Sequence, residues 1–167
     1  MGLNEVLALL IAVCVHELGH LLAIYMLGLR VTGLHLELSG LRIDYAGISS
    51  TAKNVLTAFA GPMAGILYFM TGLFVAEKTG SFVLMFSAKL SIVYSCFNLL
   101  PMLPLDGGRI LTAIAESMLG GDEAGKLSSV VSTIFGLAFL ILGLFCMLQG
   151  EGSGMFAAGL WLLLLQN

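Results

Sequence analysis

The chain has 167 residues, 59% of them hydrophobic and 10% charged, with a mean hydropathy of +1.04. A soluble domain needs about 25% charged residues to solvate its surface, so a water-soluble globule is excluded. The net charge of −3 is spread along the chain, which excludes the basic footprint of a nucleic-acid binder.

A membrane helix needs about 20 mostly apolar residues, so the length allows four to six such segments. The first apolar run covers 6–29, between Glu5 and Arg30. No Lys or Arg precedes it, which argues for a span and against a secretory signal. Over 31–45 the period shifts to two. Leu34, Leu36 and Leu38 alternate with His35, Glu37 and Ser39, then Leu41, Ile43 and Tyr45 with Arg42 and Asp44. This predicts a β-hairpin turning near Ser39-Gly40, with one apolar and one polar face, suited to the membrane interface. A second span is predicted over 55–76. It contains Gly61-Pro62, and Gly61 and Gly65 stand in the G-x-x-x-G spacing that lets helices approach closely. The third, over 82–100, meets Pro101 and Pro104, which break the helix at membrane depth.

A short helix is then expected over 110–119 and a polar loop over 120–129 holding Asp122, Glu123 and Lys126, followed by a span over 130–148 and a turn at 150–154. The apolar stretch 155–165 is too short to cross alone. The fold class expected is an all-α polytopic membrane protein. It has about five membrane segments, an interfacial hairpin and a broken helix carrying Asp106-Gly107-Gly108. Residues 1–167 form one membrane-embedded domain, with a catalytic core over 6–119 and C-terminal segments over 120–167. Arg30, Arg42, Lys53, Arg109 and Lys126 fall on one side of this topology and Lys78 on the other, so the positive-inside rule puts the N-terminus outside. Cys14, Cys96 and Cys146 lie apart within apolar runs, as packing residues rather than a disulfide or metal set.

The first span carries His16-Glu17-Leu18-Gly19-His20, three ionisable residues at a depth where a charge costs about 2.5–3.5 kcal/mol. A metal accounts for them. Histidines at i and i+4 share a helical face and can reach one Zn²⁺, while the adjacent glutamate can stand over a zinc-bound water. Zinc brings that water's pKa towards about 7, and Glu17 can then take its proton as general base. A catalytic zinc needs a third protein ligand. Asp106 is the leading candidate, because Pro101 and Pro104 extend the backbone before it and Gly107-Gly108 permits close approach after it. Glu116 and His35 are weaker candidates, on a polar face and on the hairpin's solvent side. Lys89, inside the third span, has no role in this motif; snorkelling outward or pairing with Glu77 would accommodate it.

Taken together, His16-Glu17-Leu18-Gly19-His20 and Asn98-x-x-Pro101-x-x-Pro104-Leu105-Asp106-Gly107-Gly108 closely resemble the motifs of the site-2 protease family of intramembrane zinc metalloproteases. The likeness is strongest to its compact bacterial branch, which includes the stage IV sporulation protease. The resemblance covers about 6–119 and implies cleavage of a peptide bond in or near a transmembrane segment of a substrate protein. It implies one Zn²⁺ per chain held by His16, His20 and Asp106, Glu17 as catalytic base, and Asn98 in contact with the substrate backbone or shaping the site. It further implies that the hairpin holds an extended substrate strand, that a membrane regulator is a partner, and that the active site opens towards the cytoplasm of a bacterial membrane. The family's additional N-terminal span and its PDZ or CBS-type regulatory domains have no counterpart in these 167 residues. Two rival functions remain at this stage: a catalytically silent membrane scaffold, and a metal-handling membrane protein. The first predicts loss of Glu17, and the second predicts further His or Asp along a path.

Overall fold

The computed structural model describes residues 2–37, 40–47, 50–150 and 154–164. Among them the elements run α1 (Leu3–Met26), β1 (Arg30–Glu37), β2 (Gly40–Ala46), α2 (Thr51–Thr79), α3 (Phe82–Asn98), α4 (Asp106–Leu119), α5 (Gly121–Leu148) and α6 (Gly154–Leu164). The helical membrane class expected from the sequence holds. Helices α1, α2 and α5 are long and apolar enough to cross a bilayer, and α3 is a shorter apolar helix of 17 residues. The chain divides into two compact units, Met1–Leu99 and Leu100–Asn167.

In the first unit the packing is inverted relative to a soluble protein. Helix α1 buries a stripe of Ala8, Ala12, His16, Gly19, His20 and Ile24, spaced three and four apart, while Leu7, Leu10, Leu18 and Leu22 are exposed. Lipid tails are as apolar as leucine, so large side chains gain nothing by turning inward, and close contact between small residues is what joins the helices. A Cβ on Gly19 would lie 2.6 Å from both the Ala60 carbonyl oxygen and Ala64 Cβ of α2. Helix α2 starts at a Ser50 cap on the Lys53 N–H and ends at Gly80, whose φ is +66°. It runs through Pro62 and is longer at both ends than the apolar window predicts. Lys53 Nζ donates to the Leu27 carbonyl at 3.0 Å, so a cation satisfies the C-terminal end of α1.

Helix α3 turns Ser87, Ala88, Ser91 and Ser95 inward. Ser91 Oγ donates to the Gly65 carbonyl at 3.1 Å, and Tyr68 and Ser87 share a hydroxyl hydrogen bond of 2.7 Å. The predicted hairpin is present as an antiparallel pair with Leu34 opposite Ile43 and Leu36 opposite Leu41, and with a bulge between Val31 and Gly33. Ile43 anchors it in a cluster with Ile24 and Leu29. On the polar face His35 Nε2 lies 3.1 Å from Asp44 Oδ2. The turn position Ser39, the 151–153 part of the later turn and the end of 155–165 lie outside the described residues.

The second unit corrects two boundaries. Helix α4 begins at Asp106 rather than at Ile110, so the carboxylate sits in a first helical turn and not in the extended segment, which ends at Leu105 (φ −67°, ψ 160°). The expected loop over 120–129 is instead the start of α5. Gly120 makes the turn at φ +87°. Asp122 and Glu123 occupy the first turn, where the helix dipole favours anions, and Lys126 pairs with Glu123 at 2.8 Å. The segment before α4 is tied down by Leu103 N–H donating to Ser132 Oγ at 2.8 Å and Leu105 N–H donating to the Met102 carbonyl at 2.9 Å. Helix α6 rests on α5 through Gly159, where a Cβ would meet the Leu140 backbone nitrogen at 2.7 Å.

Candidate metal centre

His16 and His20 stand one turn apart on the buried face of α1, 2% and 6% exposed. Their Nε2 atoms are 3.1 Å apart, with the rings at 79°. His20 Nδ1 lies 2.8 Å from the Thr57 carbonyl oxygen of α2. A carbonyl only accepts, so Nδ1 carries the proton and the Nε2 lone pair faces the second histidine. A hydrogen bond of this kind fixes the tautomer and orientation of metal-binding histidines.

Gly61 now has a local explanation. A Cβ on Gly61 would overlap His20 Nε2, Cε1 and Cδ2, so only glycine leaves room for the ring. Pro62, with no N–H, leaves the carbonyl four residues earlier, that of Ala58, without its helical donor. On the other side, the Tyr94 ring of α3 meets His16 edge to face, with centroids 4.8 Å apart. The nitrogen pair fits a metal: two nitrogens each about 2.0–2.1 Å from one tetrahedral zinc lie about 3.3 Å apart, close to the separation present. Glu17 follows His16 and is half-buried. The sequence singles out the two histidines and Glu17 as candidates. It did not identify the Thr57 carbonyl or Tyr94, the first because a main-chain acceptor has no residue signature and the second because one aromatic in an apolar helix is unremarked.

Asn98 is the last residue of α3 and buried. Its Nδ2 donates to the Tyr94 carbonyl at 3.0 Å, closing the turn that carries the tyrosine. Asp106, in the second unit, is 5% exposed. Arg109 Nη1 lies 3.8 Å from its Oδ1. Gly108 allows the first turn of α4 to lie against its own preceding loop, since a Cβ there would overlap the backbone of Met102 and Leu103. The weaker candidates stand apart: Glu116 is exposed, and His35 is occupied with Asp44. Lys89 is exposed and, among the described residues, forms no ion pair with Glu77.

Comparison with known proteins gives the family and the fold. A family model described as Peptidase M50B-like matches residues 4–103, and one described as peptidase family M50 matches residues 75–143. A Synechocystis protein with a provisional zinc-metalloprotease name is 30% identical over 156 residues, 86% of this chain and 40% of its own length. A zinc metalloprotease of Methanocaldococcus jannaschii is 26% identical over 83% of this chain and 42% of its own. Stage IV sporulation protein FB of Bacillus subtilis is 28% identical over 80% of this chain and 48% of its own. The chain therefore spans 40–48% of the length of these relatives. The solved site-2 protease of M. jannaschii shares the fold, with a TM-score of 0.76 at 24% identity over 93% of this chain and 72% of that one.

Proposed function

Because this chain belongs to the peptidase M50B-like family, of site-2 protease type, we propose that it is an intramembrane zinc endopeptidase. Its substrate is a membrane-associated or transmembrane protein, cut in or near a transmembrane segment. The observation that carries the reading is the buried histidine pair, with Nε2 atoms 3.1 Å apart and His20 held by the Thr57 carbonyl. His16, His20 and Asp106 hold the metal, the carboxylate being assigned by its Asp-Gly-Gly motif and its burial. Zinc bound there would supply a Lewis acid that polarises a water and the scissile carbonyl.

The remaining work falls to the protein. Glu17 takes a proton from the attacking water and delivers it to the amine as the carbon–nitrogen bond breaks. Asn98 holds the end of α3 through Tyr94 and positions His16 through that ring. The ribbon β1–β2 receives the substrate as an extended strand, because a peptide bond inside a helix is inaccessible and an open strand edge supplies main-chain hydrogen bonds to an unwound segment. The whole chain acts as one domain, with its active site reached from the cytoplasmic side of a bacterial membrane, and a membrane protein regulates it.

Glu17→Gln is the direct test. Reconstituted with a tethered single-span substrate, the variant should bind zinc as the unmodified chain does and cleave about 10²–10⁴ times more slowly. Cleavage at the unmodified rate would remove Glu17 from the mechanism. Zinc retained with cleavage lost also separates the enzyme from the metal-handling alternative.

A further inference from the structure

Lys89 is the only charged residue of α3. It is the eighth of 17 residues, about 10 Å from the nearer end of α3 at 1.5 Å per residue. A lysine stem of four carbons reaches about 6 Å, well short of the headgroups on either side. Charged side chains at this depth normally face the bundle interior or pair with an opposite charge. Lys89 does neither: it is exposed, and among the described residues it has no hydrogen-bond or ion-pair partner. Phe82, 56% exposed, and Val93, 65% exposed, share its face with Cys96, also exposed. These positions are offset from Lys89 by −7, +4 and +7, one stripe along a helix. The opposite face carries Ser87, Ala88, Ser91 and Ser95 and is the one packed inward.

We propose that this stripe of α3 docks a transmembrane helix of another protein that carries an Asp or Glu at mid-depth, paired with Lys89. Charge complementarity selects the occupant. Among the described residues a second copy of this chain lacks the required group: Glu5, Glu77, Glu116, Asp122 and Glu123 all lie within four residues of a helix end, and Glu37 and Asp44 are on the ribbon. Glu17 and Asp106 are committed to the proposed metal centre. The inference goes beyond that centre and rests on membrane embedding; only the exclusion of a second copy uses the proposed assignment of Glu17 and Asp106.

The test uses the full chain in liposomes with Cys14 and Cys146 replaced by Ala, leaving Cys96. The probe is a synthetic Leu/Ala transmembrane helix with Asp at its centre and a cysteine seven residues away, to match the Lys89-to-Cys96 offset; comparison helices carry Leu or Lys at the centre. Bismaleimide cross-linking of Cys96 should favour the Asp helix over the Leu helix at least tenfold. Lys89→Met, a more apolar side chain that suits the bilayer, should abolish the preference, and Lys89→Asp should transfer it to the Lys-centred helix. Glu17→Gln should leave it unchanged. Equal cross-linking of the Asp and Leu helices, as expected if Lys89 serves only lipid headgroups, would overturn the proposal, as would a preference that survives Lys89→Met.

Discussion

Gly61→Ala isolates the role of a missing methyl group. The added Cβ would lie 2.8 Å from His20 Cδ2 and nearer still to Cε1 and Nε2, where ordinary contacts need well over 3 Å. The ring is held at both ends, by the Thr57 carbonyl at Nδ1 and by His16 at Nε2, so it cannot move without giving up the 2.8 Å hydrogen bond. Losing one such orienting bond costs about 10–100-fold in metal affinity, or about 1.4–2.7 kcal/mol. Helix propensity acts in the opposite direction, since Ala is favoured over Gly by about 1 kcal/mol in a helix interior. The expected result is thus a folded, inserted protein whose zinc affinity, measured by competition with a chromogenic chelator, falls at least tenfold. Gly65→Ala is the control. Its Cβ would meet Ser95 and Ser91 Oγ rather than a histidine, so it should loosen the α2–α3 contact and leave zinc affinity within a factor of about three. Zinc affinity for Gly61→Ala equal to the unmodified chain would refute the assignment of His20 as a ligand held by Thr57.

Asp106→Asn should lower zinc affinity by at least about tenfold, and removal of metal with phenanthroline should stop cleavage, with zinc but not magnesium restoring it; activity regained with magnesium would contradict a nitrogen-rich site. In α3, Ser91→Ala removes the hydrogen bond to the Gly65 carbonyl and should cost about 1 kcal/mol. Ser95 Oγ is fully buried and, among the described residues, has no hydrogen-bond partner, so Ser95→Ala should be neutral or stabilising; unfolding in mixed detergent compares the two, and equal losses would contradict the difference. Leu36→Pro removes a main-chain donor from β1 and should slow cleavage of a tethered substrate while zinc content, read by elemental analysis, stays at its original level. Unimpaired cleavage would take the ribbon out of substrate binding.

The parts of this molecule that were legible from sequence are those with a period or a chemical cost. His16 and His20 stood out because imidazoles four residues apart share a helix face and because their depth demands a reason. The hairpin over 31–45 stood out through strict alternation, and the register puts Leu34 opposite Ile43 as that alternation requires. Residues 120–129 were misread because the end of a helix that emerges into water has the composition of a loop. Asp122, Glu123 and Lys126 are polar for solvation, yet the backbone is helical, with Ala124 and Ser128 buried along one side. Asp106 was expected in extended chain because Pro104 stands two residues before it, but the dipole of a helix that begins at the carboxylate stabilises the negative charge. Thr57 was illegible for a different reason: the group that orients His20 is a carbonyl, which every residue possesses.

The inward stripe of alanines, glycines and serines has a consequence for how this protein tolerates mutation. In a water-soluble protein, trimming large buried side chains is the dependable way to destabilise it, because trimming leaves voids. Here most of the buried hydrophobic residues are alanines, Ala8, Ala12, Ala58, Ala76 and Ala88 among them, and Ile24, Leu29, Ile43, Met102, Leu105 and Leu162 are the large ones left to trim. The vulnerable direction is growth. A single methyl at Gly19, Gly61, Gly65, Gly108 or Gly159 forces apart groups already in contact, while Leu10, Leu18, Leu22 and Val93, which face outward, can be exchanged among apolar residues with little effect on the fold. A substitution scan of this chain should therefore show its deepest losses at its smallest residues.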